Sequence, residues 1–120
     1  MSAEASVYKP LKRIIVEMGV GTDLYGEDAT KAAKRAVQDA IHHSSLVLFR
    51  HLGMDANAME IELRIAAPEP EEVDLQAVAE ELPYGRVSPM LEKGGLRVVD
   101  GDRVSTIVNV AIIVRVALPA

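Results

Sequence analysis

The side chains and backbone able to do chemistry are concentrated in one segment, Gly19-Val20-Gly21-Thr22-Asp23-Leu24-Tyr25-Gly26. Glycines expose backbone N–H groups. Where such a segment joins a strand to a helix, those groups and the positive helix N-terminus form a cradle for a phosphate or carboxylate. Gly19, Gly21 and Gly26 are therefore candidate ligand-binding positions. Asp23 reads in two ways, as a turn aspartate bonding backbone N–H groups or as a carboxylate facing a cleft to act as base or substrate orienter. Tyr25 is a packing ring or a phenolic hydrogen-bond donor. Lys31, one turn into the following helix, is a solvated lysine or a cation reaching back toward the loop, because helical side chains lean toward the N-terminus. The segment is not a dinucleotide fingerprint. Its third glycine falls at 26 rather than 24, and helix positions such as Asp39 stand where a second strand should end. No Gly-Lys-Ser/Thr follows, which excludes the phosphate-loop pattern.

His42, His43 and Ser44 form a second cluster. His43 lies near the line of Ala36, Ala40 and Val47 and reads as a hydrogen-bonded packing histidine or a ligand contact, while His42 is on the polar flank. Adjacent histidines on a helix diverge by about 100° and do not easily grip one ion. Ser44 is a nucleophile only if a base lies beside it. The candidate set is thus Asp23, Tyr25, Lys31 and Ser44 for catalysis, with Gly19, Gly21, Gly26 and His43 for ligand contact. No metal site and no cofactor is expected. Glu60, Glu62, Glu69, Glu71 and Glu72 read as a solvated face.

These residues need a scaffold, and the hydrophobic pattern supplies one. A polar arm over 1–10 precedes a strand near 12–19, with Ile14, Val16 and Met18 on one face and Arg13, Ile15 and a half-buried Glu17 on the other. A helix should start at Glu27 or Asp28 and run to about His51, burying Ala29, Ala32, Ala33, Ala36, Val37, Ala40, Ile41, Ser44 and Leu48. Met59, Ile61, Leu63 and Ile65 alternate with Glu60, Glu62 and Arg64 in a second strand, one face dry and one wet. Asp74 caps a short helix over 75–82, ended by Pro83 and Gly85. Strands 86–92 and 96–99 flank Lys93-Gly94-Gly95, where paired glycines suit a hairpin. Asp100-Gly101-Asp102 turns into a last strand, 104–118, whose two faces are both largely apolar.

Composition bounds the whole. The chain has 120 residues, 49% hydrophobic, with no cysteine, no tryptophan, four Tyr and Phe together and a formal charge of -5. One domain over 11–120 is expected. Lack of cysteine excludes a disulfide framework and thiolate chemistry, and the N-terminus lacks the signal-peptide pattern, so a cytoplasmic protein is expected. Asn109 and Arg115 interrupt the apolar C-terminal run, which falls short of a membrane helix. An acidic balance with few rings argues against nucleic-acid binding. The fold expectation is α/β (α+β) in the order β-α-β-α-β-β-β, one sheet with two helices on one face. A strand of the last one's length reaches about 50 Å, whereas a compact domain of this size is roughly 35 Å across. It must bend at a bulge or project. Its second apolar face asks for a cover, and self-association through the sheet provides one.

Gly19 to Gly26, running into Asp28-Ala29-Thr30-Lys31-Ala32-Ala33 and Asp39-Ala40-Ile41-His42-His43-Ser44, resembles the Lin-type conserved hypothetical proteins, marked by a Gly-x-Gly-x-Asp-x-His-Gly signature. The likeness continues through Pro68-Glu69-Pro70-Glu71-Glu72-Val73-Asp74, Leu82-Pro83-Tyr84-Gly85, Glu92-Lys93-Gly94-Gly95-Leu96 and Ile107-Val108-Asn109-Val110-Ala111. Tyr25 stands at the signature's histidine position, and a phenol is a poor base near neutral pH. The resemblance implies a site more than an activity. The element order is also similar to the repeat unit of ring-opening amidohydrolases such as cyanuric acid hydrolase and barbiturase, in which three units surround one site. That analogy implies a homotrimer with sites at subunit boundaries. Two functions follow as expectations: a hydrolase or deaminase acting on a small anionic or cyclic-amide metabolite, or a non-catalytic protein that binds a small ligand or a partner through the same loop.

Overall fold

The computed structural model describes residues 11–42, 58–83 and 85–117. The elements are β1 (Leu11–Asp23), α1 (Ala29–His42), β2 (Glu60–Ala67), a 3-10 turn (Pro70–Glu72), α2 (Leu75–Ala79), β3 (Arg86–Lys93), β4 (Leu96–Asp100) and β5 (Arg103–Ala117). This is the β-α-β-α-β-β-β order read from the sequence. The N-terminal arm lies outside the described residues.

The five strands form one mixed sheet in the order β1-β5-β2-β3, with β4 also on β5. Only β2 and β3 run parallel, and β5 is the antiparallel spine that pairs with β1, β2 and β4. Pro89 sits in β3, an edge strand, where a missing N–H is tolerated. The helices cover one face. Val108, Val110, Ile112, Val114 and Val116 of β5 and Ile61, Leu63 and Ile65 of β2 are buried against the alanine stripe of α1 and against Val78 and Leu82. The alternation expected in both strands is the alternation observed. β5 is paired along its whole length, with β4 from Arg103 to Ile107 and with β1 from Thr106 to Ala117. Its length is accommodated in an elongated molecule of 58 × 34 × 18 Å with a radius of gyration of 16.3 Å, against about 14 Å for a compact chain of this length. The register of β1 on β5 slips between Arg13 and Ile15, so the bulge is in β1.

Two expectations are corrected. The glycines do not break the first strand at Gly19. β1 continues to Asp23, opposite Thr106, because Gly19 and Gly21 serve α1. A Cβ at Gly19 would overlap the Ala36 carbonyl and lie 2.7 Å from the Ala40 nitrogen, and one at Gly21 would overlap the Ala32 carbonyl. Alanine on the helix and glycine on the strand let the two backbones approach as closely as chains can. Neither is Gly94-Gly95 a hairpin. β3 and β4 run in the same direction, β3 on β2 and β4 on β5, so the chain steps sideways past the end of β2 instead of reversing. The Gly94 N–H donates to the Ala67 carbonyl at 2.9 Å. Gly95 takes a φ of +66°, with the Ile107 carbonyl where its Cβ would be. The hairpin is the next turn, Gly101-Asp102, between Asp100 and Arg103.

Both helices are capped by aspartate. The Asp28 side chain accepts the Lys31 N–H at 3.0 Å while its carbonyl accepts the Ala32 N–H at 3.1 Å. Asp74 accepts the Ala77 N–H at 3.2 Å. The Thr30 hydroxyl, accepting the Asp74 N–H at 2.8 Å, ties the first turn of α1 to the start of α2. Asp28→Ala should lower stability by about 1 kcal/mol, the usual loss of an N-cap, read as a lower urea midpoint with an unchanged slope.

Candidate functional site

Asp23 ends β1 and is 8% exposed. Its carboxylate accepts the Asp28 N–H at 3.3 Å and lies 3.8 Å from the Arg35 guanidinium. Gly26 is a glycine for a local reason, since a Cβ there would overlap Asp23 Oδ2. Of the two readings of Asp23, the geometry is that of the capping aspartate: it faces the start of α1, bridging the end of the strand to the beginning of the helix. Arg35 donates to the Thr22 carbonyl at 2.6 Å, and Asp39, one turn on, accepts the Val20 N–H at 3.0 Å. These two helix side chains occupy backbone groups on the free edge of β1. The sequence pattern marks Arg35 and Asp39 only as polar residues of the helix, because nothing in a sequence shows which helix residues overhang a strand edge.

The remaining candidates separate. Gly19 and Gly21 lie beneath α1, with helix backbone where a ligand would have to enter. Lys31 is exposed on α1, its N–H committed to Asp28. Tyr25 is 80% exposed, with the Arg103 guanidinium 5.7 Å from its ring centre, within the range of a cation–π contact. His43 and Ser44 lie outside the described residues. The structure thus brings Asp23 and Gly26 together and turns Tyr25 away from them.

Tyr25 instead borders a shallow depression of about 210 Å³ formed with Leu24, Val98, Asp100, Arg103 and Ser105. Ser105 donates its hydroxyl to the Leu24 carbonyl at 3.0 Å, pinning the bend after β1 to β5. Arg103 and Tyr25 can hold an anionic or flat group, whereas the serine hydroxyl is spent on a structural bond. Sequence reading missed Arg103, Asp100 and Ser105. The only available signal was the Asp-Gly-Asp-Arg turn, and that predicts a hairpin rather than a neighbour 78 residues away in the chain. Among the described residues, no group of three or more histidines and carboxylates is placed to hold a metal ion.

The face of the sheet away from the helices carries three ion pairs between neighbouring strands. Arg115 meets Glu62 at 3.0 Å, Arg64 meets Glu92 at 2.8 Å, and Arg86 meets Glu60. The hydrogen bond and negative charge of Glu92 hold the Arg64 guanidinium above its ordinary pKa, which leaves it charged at any working pH. Glu60 and Glu62, expected on a solvated face, are cross-strand partners. A depression of about 260 Å³ lies over them, bounded by Ile61, Ser88, Met90 and Arg115.

Residues 13–118, which contain the glycine pair of β1 and the alanine-lined helix, match a family model described as conserved hypothetical protein (Lin0512_fam). The chain belongs to this family. A solved structure similar to this Lin0512_fam protein is an FtsZ-like protein of unknown function from Nostoc punctiforme, 35% identical, with a TM-score of 0.79, covering 92% of this chain and 100% of that one. None of the curated proteins matches it. Among the described residues of this Lin0512_fam member, no helix is long and apolar enough to cross a membrane.

Proposed function

We propose that this chain is a non-catalytic binding protein, whose contact surface is the Leu24–Tyr25 bend and the open sheet face beside it. One observation carries the reading. The Asp23 carboxylate of the glycine segment is turned inward as structure, while the apolar and aromatic side chains of the segment and of β1 before it are turned outward. Asp23 is buried and bonded to the helix start, whereas Leu24, Tyr25, Val16, Met18 and Val20 are exposed. A hydrolase or deaminase acting on a small anionic or cyclic-amide compound needs a base and a polarising group facing one cavity. Asp23, the carboxylate best placed in sequence for that work, faces α1 instead.

The test is a turnover panel of cyclic amides and amino-muconate-like acids on the natural protein and on Asp23→Asn. We expect no turnover from either, and a melting temperature lower in the variant because an acceptor at the helix start is weakened. Turnover by the natural protein that disappears in a folded Asp23→Asn would overturn the binding reading and make the segment catalytic.

A further inference from the structure

The cross-strand register places Val16, Met18 and Val20 of β1 on the face opposite the helices. They lie beside Ile113, Ala111 and Asn109 of β5, while the alternate residues Val110, Ile112 and Val114 point into the core. Leu96 and Val98 of β4 continue the same face beside Ile107 and Ser105, and Met90 of β3 extends it across the sheet. All six named residues of β1, β4 and β3 are exposed, Met18 by 76%. Contiguous apolar surface of this kind marks an interaction site on a protein otherwise covered by charge.

Three features say what covers it. The first is charge. Six charged residues of β2, β3 and β5 on this face are three glutamates and three arginines, paired with one another inside the chain, and Asp100 and Arg103, register partners at the β4 end, carry opposite charges. Arg13 adds one positive charge, so the face is close to neutral while the chain carries -5. A surface that meets its own copy must be neutral, because any net charge on it faces itself, whereas a surface for an acidic or basic partner carries the opposite sign. The second is area. Strands of 13, 8, 8, 5 and 15 residues, rising about 3.4 Å per residue and spaced about 4.8 Å apart, give roughly 800 Å², which matches the about 800 Å² per partner of a stable interface. The third is the edge of β1, where Arg35 and Asp39 occupy Thr22 and Val20. Strand addition, the competing route to self-association through a sheet, is obstructed there.

We infer that a second copy of this chain packs its open sheet face against this one about a two-fold axis, as the two halves of a sandwich with sheets about 10 Å apart. The inference rests on the binding reading above and names the partner. It differs from the threefold ring implied by the analogy with ring-opening amidohydrolases, since a ring joins unlike patches of successive subunits and leaves a self-complementary face uncovered. Met18, the most exposed apolar side chain of the face, stands midway along the edge strand β1 and meets the partner sheet.

Size-exclusion chromatography with light scattering tests it. The natural protein at about 10 μM should give twice the chain mass of 13.0 kDa. Met18→Glu should give the single-chain mass, with dissociation strengthened at least about 100-fold, because each dimer would then bury two unpaired carboxylates. Gln76→Glu makes the same charge change on α2, away from the face, and should leave the mass doubled. Should Met18→Glu fail to fold, the melting temperature of the natural protein on dilution decides. It must fall as the dimer dissociates. A natural protein of single-chain mass at 100 μM, a concentration-independent melting temperature, or an unchanged mass for folded Met18→Glu would each overturn the dimer. An inactive monomer sinks only the dimer, and an active dimer sinks only the non-catalytic reading.

Discussion

Replacing Gly21 by valine should unfold the protein or lower its melting temperature by roughly 15 °C, the equivalent of about 3 kcal/mol or more. The magnitude follows from what the new atoms would meet. A Cβ at position 21 overlaps the Ala32 carbonyl and approaches the Arg35 carbonyl carbon to 2.9 Å. Both belong to helix backbone, so no rotamer change relieves the contact. α1 must lift from the sheet, and α1 is the lid over most of the core: Ala29, Ala32, Ala33, Ala36, Val37 and Ala40 are all buried on β1 and β5. Alanine at 21 should already cost most of this, since the first carbon makes the clash. Gly101 provides the contrast. It has a φ of +64° with nothing within 4 Å of a built Cβ, so Gly101→Ala strains only its own backbone and should cost about 1 kcal/mol. Thermal melts followed by circular dichroism at one protein concentration separate the two. Equal losses at 21 and 101 would mean that α1 can move off β1 cheaply.

That contrast also explains why parts of the molecule were legible in the sequence and others were not. Alternation in β2 and β5 and the alanine stripe of α1 are repeated signals: several residues vote for one face, and the structure buries those residues. Glycine casts an ambiguous vote. Gly19 and Gly21 have the composition of a phosphate-binding turn, yet their missing side chains make room for a helix in a strand that simply continues. Gly94-Gly95 has the composition of a hairpin, yet the chain uses it to step from beside β2 to beside β5 without reversing. In each case the deciding contact is with residues distant in sequence, Ala36 for Gly19 and Ile107 for Gly95. The candidate site failed to read through for the same reason. Asp23 and Tyr25 are two residues apart, but one turns under the helix and the other out to Arg103.

Face and edge together constrain association. β1 presents exposed valine and methionine side chains on one face, and a helix that overhangs its edge covers the other. Pairing of the β1 edge with the β3 edge of another copy would extend without limit, since each added copy offers a new edge. Face pairing closes after two. Arg35 and Asp39 therefore do more than hold α1 in place: they bias an apolar sheet toward a finite assembly.

The core itself should respond non-additively. Leu63 and Ile112 are register partners on β2 and β5, both fully buried. Among the described residues, the largest fully buried side chains that come from helices are Val37 and Val78, because α1 contributes mostly alanines, which cannot swing into a void. Leu63→Ala and Ile112→Ala should each cost about 2–5 kcal/mol, toward the upper end, since the cost grows with the cavity that the surroundings fail to fill. A stiff wall of alanine fills little. The two cavities would adjoin, so the surroundings already loosened by one truncation lose less from the second. We expect the double variant to fall short of the summed single losses by about 1 kcal/mol, within the usual range for contacting residues. Urea titrations of the four proteins at equal concentration measure this, provided that the slopes agree. Strict additivity would show that the wall relaxes into each site independently, and that the close fit of α1 on its glycines is not what sets the rigidity of the core.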